Sequence, residues 1–180
     1  MIKALLLIDF QMDYFPGGKM ALVEPVKAVH NAGMLLNDFR KNNDNVVHIQ
    51  HHATRPDATF FIPGTDGAEI HPHLAPDTNE EVIIKNYPNS FFKTKLFDYL
   101  QEKHVEKLVI CGMMTHMCVD ATTRAAKDLG FEIALIGDAC ATKNLEYKGQ
   151  KVNAQEVHNS FLAALNYYYS TVVSTEEYLG

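Results

Sequence analysis

The sequence predicts an α/β fold of the Rossmann-like type, in which a mostly parallel six-stranded sheet forms the middle of three α/β/α layers. Short apolar runs alternate along the chain with longer segments whose apolar residues recur every three to four positions. That alternation is typical of parallel strands joined by crossover helices. A length of 180 residues suits one domain, placed at 1–180 because no linker or repeat interrupts the pattern.

The first half of the chain contains three predicted strands, Ile2–Ile8, Val46–Gln50 and Val82–Lys85. Each is a short apolar run, and Ile2–Ile8 is almost continuously apolar, as expected of a strand buried on both faces. A helix begins at Pro25, since proline suits the first helical position. Its apolar residues recur at helical spacing and are Val26, Val29, Gly33, Leu36 and Phe39.

Residues 51–80 differ from the rest of the chain because they hold four prolines and two glycines. Prolines and glycines at this density forbid a long helix or strand, so we predict a loop. A loop of this length inside a compact domain is uncommon and is usually functional.

The second half of the chain continues the alternation of helices and strands. Its first helix presents an apolar face of Phe92, Leu96 and Leu100. A strand at Leu108–Cys111 precedes a helix from Thr115 to Leu129, which ends before Gly130 because glycine suits the position after a helix. The remaining predicted elements are the strand Glu132–Ile136, the helix Ala154–Tyr168 and the strand Thr171–Val173.

The charge balance argues against binding to nucleic acid or to an anionic membrane. Sixteen basic and 22 acidic side chains give a net charge of −6, whereas both partners require a basic surface. No apolar stretch approaches the ~20 residues of a membrane span, and no signal-peptide pattern is present. The three cysteines are an odd number, which favours reduced thiols over disulfides, so we predict a cytoplasmic protein.

Three reactive side chains lie where predicted strands end. Asp9 follows the first strand, Lys85 ends the third, and Cys118 lies past the fourth in the first turn of a helix. Ligands bind beyond the carboxyl ends of parallel strands, so the topology can bring the three together. A carboxylate, an ammonium and a thiol predict acyl transfer through a thioester, with Cys118 as nucleophile and Asp9 as general acid and base. Taken singly, each has a structural alternative: a turn-capping carboxylate, a surface lysine and a buried core thiol.

The predicted surroundings of Cys118 favour its thiolate. The first turn of a helix presents unpaired N–H groups and the positive end of the helix dipole, and Lys85 adds a positive charge. We therefore expect a lowered pKa for Cys118, and an oxyanion site formed by the backbone N–H groups of Met114 and Cys118. Cys111 and Cys140 are interpreted as buried core residues.

Three segments resemble the isochorismatase-like cysteine hydrolases, a superfamily that includes nicotinamidases and N-carbamoylsarcosine amidase. Residues 5–15 (LLLIDFQMDYF) are similar to the opening strand of that superfamily and its D-x-Q-x-D motif. Residues 85–96 (KNYPNSFFKTKL) match the lysine motif, and residues 111–142 contain the Gly-x-x-Thr-x-x-Cys-Val block. The segments follow the family's order over nearly the whole chain, so the resemblance implies the isochorismatase-like hydrolase fold.

The resemblance also implies roles for individual residues. Asp9, Lys85 and Cys118 match the family's catalytic triad, and Met113–Met114 matches a non-proline cis peptide that precedes the nucleophile. Four further residues match positions near the mouth of the family's pocket and are assigned to substrate binding. They are Gln11, Tyr14, Phe15 and Phe91.

Five histidines raise the question of a metal site, since imidazole is a good ligand for zinc, iron and nickel. They are His48, His51, His52, His71 and His73. Nicotinamidases of the resembled family hold a metal through an Asp-x-His pair after the second strand and a later histidine. Here His51 and Ala53 occupy the positions of that pair, so we predict no metal site and no cofactor.

The leading hypothesis is a cysteine hydrolase that cleaves a C–N bond of a small amide or carbamoyl compound through an acyl-enzyme on Cys118. Two alternatives remain open. One is a vinyl-ether hydrolase of the isochorismatase type, which needs no thiol. The other is a non-enzymatic protein that binds a ligand or senses redox state through Cys118. The resemblance implies a homo-oligomer, either a dimer or a tetramer, and the sequence does not name the substrate.

Overall fold

A computed structural model describes all 180 residues and contains eight strands and five α-helices. The strands are β1 (Lys3–Ile8), β2 (Asn45–His51), β3 (Glu81–Lys85), β4 (Lys107–Met113), β5 (Glu132–Ala141), β6 (Leu145–Tyr147), β7 (Gln150–Val152) and β8 (Thr171–Val173). The helices are α1 (Pro25–Lys41), α2 (Leu96–Glu102), α3 (Asp120–Asp128), α4 (Ala154–Tyr168) and α5 (Thr175–Leu179). Six strands form one parallel sheet in the order β3-β2-β1-β4-β5-β8, whereas β6 and β7 pair as an antiparallel hairpin.

Helices flank the sheet, so its central strands β1 and β4 form the middle of the core. All residues from Ala4 to Ile8 are buried, as the continuous apolar run predicts. In the flanking layers, α1 contacts α5 and α3 contacts α4. The predicted six-stranded parallel sheet between helices is confirmed.

The strand order changes direction between β1 and β4. The chain passes outward from β1 through β2 to β3, then returns to the centre and passes outward through β4, β5 and β8. In doubly wound sheets the crevice at such a switch point, beyond the carboxyl ends of the strands, is the usual place for a ligand. Asp9 directly follows β1 and Met113 ends β4, so both lie at this point.

β5 is longer than the sequence predicts, because it continues from Ile136 to Ala141. A shift of register between Ile110 and Gly112 of β4 accommodates the extra length, so that Gly112 pairs with Cys140. Gly112 has φ 147°, and a side chain there would overlap the Ile8 carbonyl oxygen of β1. Glycine is therefore required where β1 and β4 approach closely.

The helices differ in detail from the prediction. Val26 of α1 is exposed, because the buried face instead includes the small residues Ala28 and Ala32, which hydrophobic periodicity alone ranks low. Phe92 is also exposed, and α2 begins only at Leu96. The hairpin β6–β7 and helix α5 were not predicted, since both are short and mostly polar. None of the helices combines the length and apolar character needed to cross a membrane.

Candidate active site

The three predicted reactive side chains meet in the interior at the carboxyl end of the sheet. Asp9 follows β1, Lys85 is the last residue of β3, and Cys118 lies in the π-helical turn Thr115–Val119 that leads into α3. Lys85 Nζ lies 2.8 Å from Asp9 Oδ2 and 3.2 Å from Cys118 Sγ. The side chains of Asp9 and Lys85 are fully buried, and Cys118 is 4% exposed.

The topology requires a long side chain at the lysine position. β2 separates β1 from β3, so Lys85 must reach past its register partner, His51, to meet Asp9. Asp9 is presented by a backbone with φ 53°, in the left-handed region that aspartate tolerates better than most residues. Backbone strain of this kind concentrates at functional sites.

Lys85 is held as an ammonium by one ion pair and two hydrogen bonds. The partners are Asp9 Oδ2, Cys118 Sγ and His51 Nδ1, the last at 2.9 Å. Burial lowers the pKa of Lys85, but the Asp9 carboxylate and the Cys118 sulfur raise it above its ordinary value. Neither oxygen of the buried Asp9 carboxylate makes a hydrogen bond: Oδ2 has only its ion pair with Lys85, and Oδ1 has no partner at all. One of these oxygens lies within 4.8 Å of the Cys118 sulfur. Buried acceptors are nearly always paired, which makes a free one a sign of function.

The structure contradicts the prediction that Cys118 has a lowered pKa. Burial raises the pKa of the thiol most, and the Asp9 carboxylate raises it further, whereas Lys85 opposes both without outweighing them. The resting sulfur is therefore a neutral thiol. Any attack by this sulfur requires a base that removes its proton, and the Asp9 carboxylate, which has an oxygen within 4.8 Å of the sulfur, is the candidate.

The backbone that leads to Cys118 has the form that the resemblance implies. The Met113–Met114 peptide bond is cis. Met113 ends β4 and is fully buried, while Met114 precedes the π-helical turn and lines the cavity beside Cys118. The Thr115 hydroxyl lies 2.9 Å from Nδ1 of His158, which ties this turn to α4.

The cavity beside Cys118 has a volume of about 480 Å³ and is lined by 14 residues. Half of them belong to the stretch 51–80 that was predicted to be a functional loop. They are His51, Ala53, Thr54, Arg55, Ala58, Phe60 and Phe61. No carboxylate lines the cavity, and Arg55 is its one permanently charged side chain. Aromatic walls with few polar groups suit a small molecule that is neutral or anionic.

A second cavity, of about 430 Å³, lies between α1 and α4. Its lining includes none of Asp9, Lys85 and Cys118. Because an active site is defined by its reactive groups rather than by volume, the cavity that contains the Cys118 thiol is the candidate.

Of the four residues assigned to substrate binding, only Tyr14 lines the cavity. Phe15 is 3% exposed and packs on the ring of His71, with ring centroids 4.3 Å apart. Phe91 stacks on Phe131 and also lies outside the cavity lining. Phe15 and Phe91 therefore do not line this cavity, since both rings are used for packing inside the protein, and their assignment to substrate binding stays a prediction.

Gln11 is likewise not available to a substrate, because its amide is used by the backbone of the loop. Its Nε2 donates to the carbonyl oxygens of His51 and Ala68 at 2.9 and 2.7 Å, and its Oε1 accepts from the His51 N–H at 2.7 Å. The side chain is completely buried. Gln11 therefore positions His51 and the start of the long loop.

We expect Gln11→Leu to lower the free energy of unfolding by about 3 kcal/mol, because three hydrogen bonds to the loop backbone are lost and the Ala68 carbonyl keeps only its bond from Gln50. Urea denaturation measures the change. Gln50→Leu is the matched control, since Gln50 makes one bond to the same Ala68 carbonyl and its loss costs about 1 kcal/mol. Equal effects of the two substitutions would contradict the positioning role.

His51 is the one histidine of the five that reaches the reactive residues. Asp9, His51 and Cys118 each offer a ligand atom, and these atoms lie within 4.8 Å of one another. The Lys85 ammonium already lies 2.8 to 3.2 Å from an atom of each. A metal ion in the same space would meet that buried positive charge at close range, so these residues fit an ammonium and not a metal ion.

The other four histidines are dispersed. His48 is buried, and its Nε2 lies 2.8 Å from a carboxylate oxygen of Glu80. His71 accepts a hydrogen bond from the backbone of His73. His52 does not line the cavity. These four histidines are not part of any cluster that could hold a metal ion.

Asp13 is a residue of the site to which the sequence analysis assigned no role. Its Oδ2 accepts from the Phe61 N–H at 2.7 Å, and its Oδ1 accepts from the Lys19 N–H at 3.1 Å. Gly67 lies so close to this carboxylate that any side chain there would overlap it. The second aspartate of the D-x-Q-x-D motif was the available signal, since a buried carboxylate requires donors around it.

Comparisons with family models, curated proteins and solved structures all identify the same family. The family model of the isochorismatase domain matches residues 3–177. The uncharacterized isochorismatase family protein YddQ of Bacillus subtilis is 50% identical over 179 residues, which are 99% of each chain. The crystal structure of an isochorismatase from Pseudomonas putida KT2440 has a TM-score of 0.91 and 33% identity, and the match covers 97% of this chain and 89% of that chain. The nicotinamidase of Escherichia coli K12 is 26% identical over 182 aligned positions, covering 80% of this chain and 85% of its own.

The matches to the family model and to YddQ extend over the same segments that carry the resemblance in the sequence, and they include the positions of Asp9, Lys85 and Cys118. The fold resemblance is close enough that the whole sheet is shared. The chain therefore belongs to the isochorismatase family of hydrolases.

Proposed function

We propose that this isochorismatase-family hydrolase cleaves a C–N bond of a small amide or carbamoyl compound through a thioester on Cys118. One observation carries the proposal: a buried thiol that lines a cavity lies near a carboxylate oxygen with no other partner, and a lysine ammonium contacts both groups. A thiol nucleophile with an adjacent base is the arrangement that covalent acyl transfer requires.

In the proposed reaction, Asp9 Oδ1 takes the thiol proton as Cys118 Sγ attacks the carbonyl carbon. The backbone N–H groups of Met114 and Cys118 stabilise the resulting oxyanion. Asp9 then returns the proton to the leaving nitrogen, the C–N bond breaks, and ammonia or an amine departs. Water next attacks the thioester and gives its proton to Asp9, the C–S bond breaks, and the sulfur recovers the proton. The products are a carboxylic or carbamic acid and the free enzyme.

Lys85 stabilises the negative charge throughout this reaction cycle. Its ammonium contacts both the carboxylate and the sulfur, so it stabilises whichever of the two carries the negative charge as the proton moves. The raised pKa of Cys118 fits this scheme, because the thiolate forms only when the proton is transferred. The same property disfavours redox sensing, which depends on a low-pKa, accessible thiolate. A vinyl-ether hydrolase would use Asp9 but would leave the thiol without a role.

An ammonia-release screen over small primary amides, with and without EDTA, tests the proposal. We expect at least one neutral or anionic amide to be hydrolysed, with the rate unchanged by the chelator, because the Lys85 ammonium occupies the space between the possible ligands. Loss of activity with EDTA that returns on adding a metal would contradict this view of the site. Absence of ammonia release from every amide would contradict the proposed function.

A further inference from the structure

The ring of His51 connects the Lys85 ammonium to the cavity. Nδ1 of His51 lies 2.9 Å from Lys85 Nζ. An ammonium has three donors and no acceptor, so Nδ1 must accept this hydrogen bond and cannot carry a proton. A neutral imidazole with an unprotonated Nδ1 carries its single proton on Nε2. The contact with Lys85 therefore decides the tautomer of His51.

The groups around the ring keep it neutral. The pKa of His51 is lowered to about 4, mainly by burial and also by the positive charge of Lys85, against the opposing effect of Asp9. The neighbouring His52 acts in the same direction as Lys85. Near neutral pH the ring therefore presents one donor, the Nε2–H.

The position of the ring is fixed from two sides. Gln11 holds the backbone N–H and C=O of His51, and the ring packs at a tilt against Phe61 with the centroids 5.8 Å apart. The ring lines the same cavity as Cys118, and one of its nitrogens lies within 4.8 Å of the Cys118 sulfur. Its one side-chain hydrogen bond within the protein is the bond to Lys85. No carboxylate lines the cavity to accept from Nε2.

We propose that His51 is a specificity-determining residue whose Nε2–H donates a hydrogen bond to an acceptor atom of the substrate beside the scissile carbonyl. This inference rests on the proposed function and deepens it. The preferred substrates are amides that carry an ether, hydroxyl, carbonyl or carboxylate oxygen, or an unprotonated nitrogen, close to the reacting carbon. An amide with an ammonium group at that position is excluded, because it offers no acceptor and lies near the Lys85 charge.

Two substitutions separate the roles of the two ring nitrogens. His51→Asn places an amide near the position of Nδ1, so it can still accept from Lys85, but it has no group at the position of Nε2. His51→Gln places its amide near the position of Nε2 and can still donate there. His52→Asn is the matched control, since His52 is adjacent in sequence but does not line the cavity.

The kinetic test compares methoxyacetamide with butanamide, which have nearly the same shape and differ in one ether oxygen. For His51→Asn, we expect the ratio of kcat/KM for the two amides to fall about 5- to 10-fold, the effect of one hydrogen bond. His51→Gln should retain most of the preference, and His52→Asn should retain all of it. An unchanged ratio in His51→Asn, in an enzyme that hydrolyses these amides, would overturn the inference and leave the proposed function intact.

A nuclear magnetic resonance measurement tests the proposed hydrogen bond from His51 to the substrate without requiring catalysis. In Cys118→Ala protein, ¹H–¹⁵N spectra of the histidine rings should show His51 as the Nε2–H tautomer at pH 7. The signals of the His51 ring are identified as those that disappear when His51→Asn is added to Cys118→Ala. Methoxyacetamide should shift the Nε2–H signal, and butanamide should shift it less. An Nδ1–H tautomer, or equal or absent shifts with the two amides, would overturn the inference even if the enzyme hydrolyses no amide at all.

Discussion

Cys118→Ala is expected to abolish ammonia release while the protein remains folded. Removal of a covalent nucleophile costs at least about 10,000-fold in kcat when no other group can replace it. Cys118 is 4% exposed but lines the cavity, and the substitution removes only its sulfur atom, so the change in packing is small. Cys118→Ser should also be nearly inactive, because Asp9 must then deprotonate a far weaker acid. The assay is ammonia release with the best amide from the screen.

Cys140→Ala is the matched control for the nucleophile. Cys140 is also buried, but it lies outside the Cys118 cavity, and its thiol donates to the Ile136 carbonyl oxygen at 3.3 Å. We expect its substitution to change activity by no more than a few-fold. Full ammonia release by Cys118→Ser would contradict the thioester mechanism. Hydrolysis of a vinyl ether by the same variant would favour the vinyl-ether alternative, in which the thiol has no role.

The pH dependence of alkylation offers an independent measure of the same thiol. Because burial and Asp9 raise the pKa of Cys118, the thiolate fraction and the rate of alkylation by iodoacetamide should still increase above about pH 8.5, the ordinary value for cysteine. Cys118 should nevertheless react before Cys111, which is fully buried. A rate that levels off near pH 7 would show a thiolate at rest and would contradict the need for Asp9 as base.

Lys85→Met is expected to reduce both stability and activity severely. The substitution leaves the completely buried Asp9 carboxylate without its cation, and removal of one partner of a buried ion pair costs about 3–5 kcal/mol. Methionine is unbranched and one atom shorter than lysine, so the change removes the charge with little loss of side-chain volume. Urea denaturation at pH 7 measures the loss in the free energy of unfolding, and ammonia release measures the loss of activity.

A double substitution separates the structural effect from the chemical one. Asp9→Asn combined with Lys85→Met removes both charges, so stability should recover by several kcal/mol relative to Lys85→Met alone. Activity should not recover, because the base is also lost. Lys107→Met is the control, since its pair with Glu132 at 2.7 Å is exposed to solvent and contributes about 0–1 kcal/mol. Equal destabilisation by Lys85→Met and Lys107→Met would contradict the account of the buried pair.

The sheet was predictable because its strands are apolar runs that burial on both faces demands. Ile2–Ile8 and Val46–Gln50 could hardly be placed elsewhere in a doubly wound fold. The hairpin β6–β7 was not predictable, since its residues are polar and its strands pair only with each other. The local sequence pattern therefore does not predict that these two strands pair.

The positions of the reactive residues were predictable from strand ends, but their electrostatics were not. The effect of burial on Cys118 depends on how completely the surrounding chain excludes water, which sequence spacing does not report. The same holds for Gln11, whose partners are backbone atoms of His51 and Ala68 that are far away along the chain. A resemblance to family motifs assigned Gln11 to the pocket, and only the hydrogen bonds show that it serves the loop.

The Asp13 carboxylate has a consequence for how this enzyme could diversify. It accepts a hydrogen bond from the Phe61 N–H, at the end of the stretch 53–61, and it lies against Gly67. The reactive residues Asp9, Lys85 and Cys118 belong to elements outside that stretch. Residues such as Thr54, Arg55 and Ala58 can therefore be exchanged, and the stretch can even change length, without moving the reacting atoms. Evolution could therefore change the substrate specificity of the protein while the reaction stays the same.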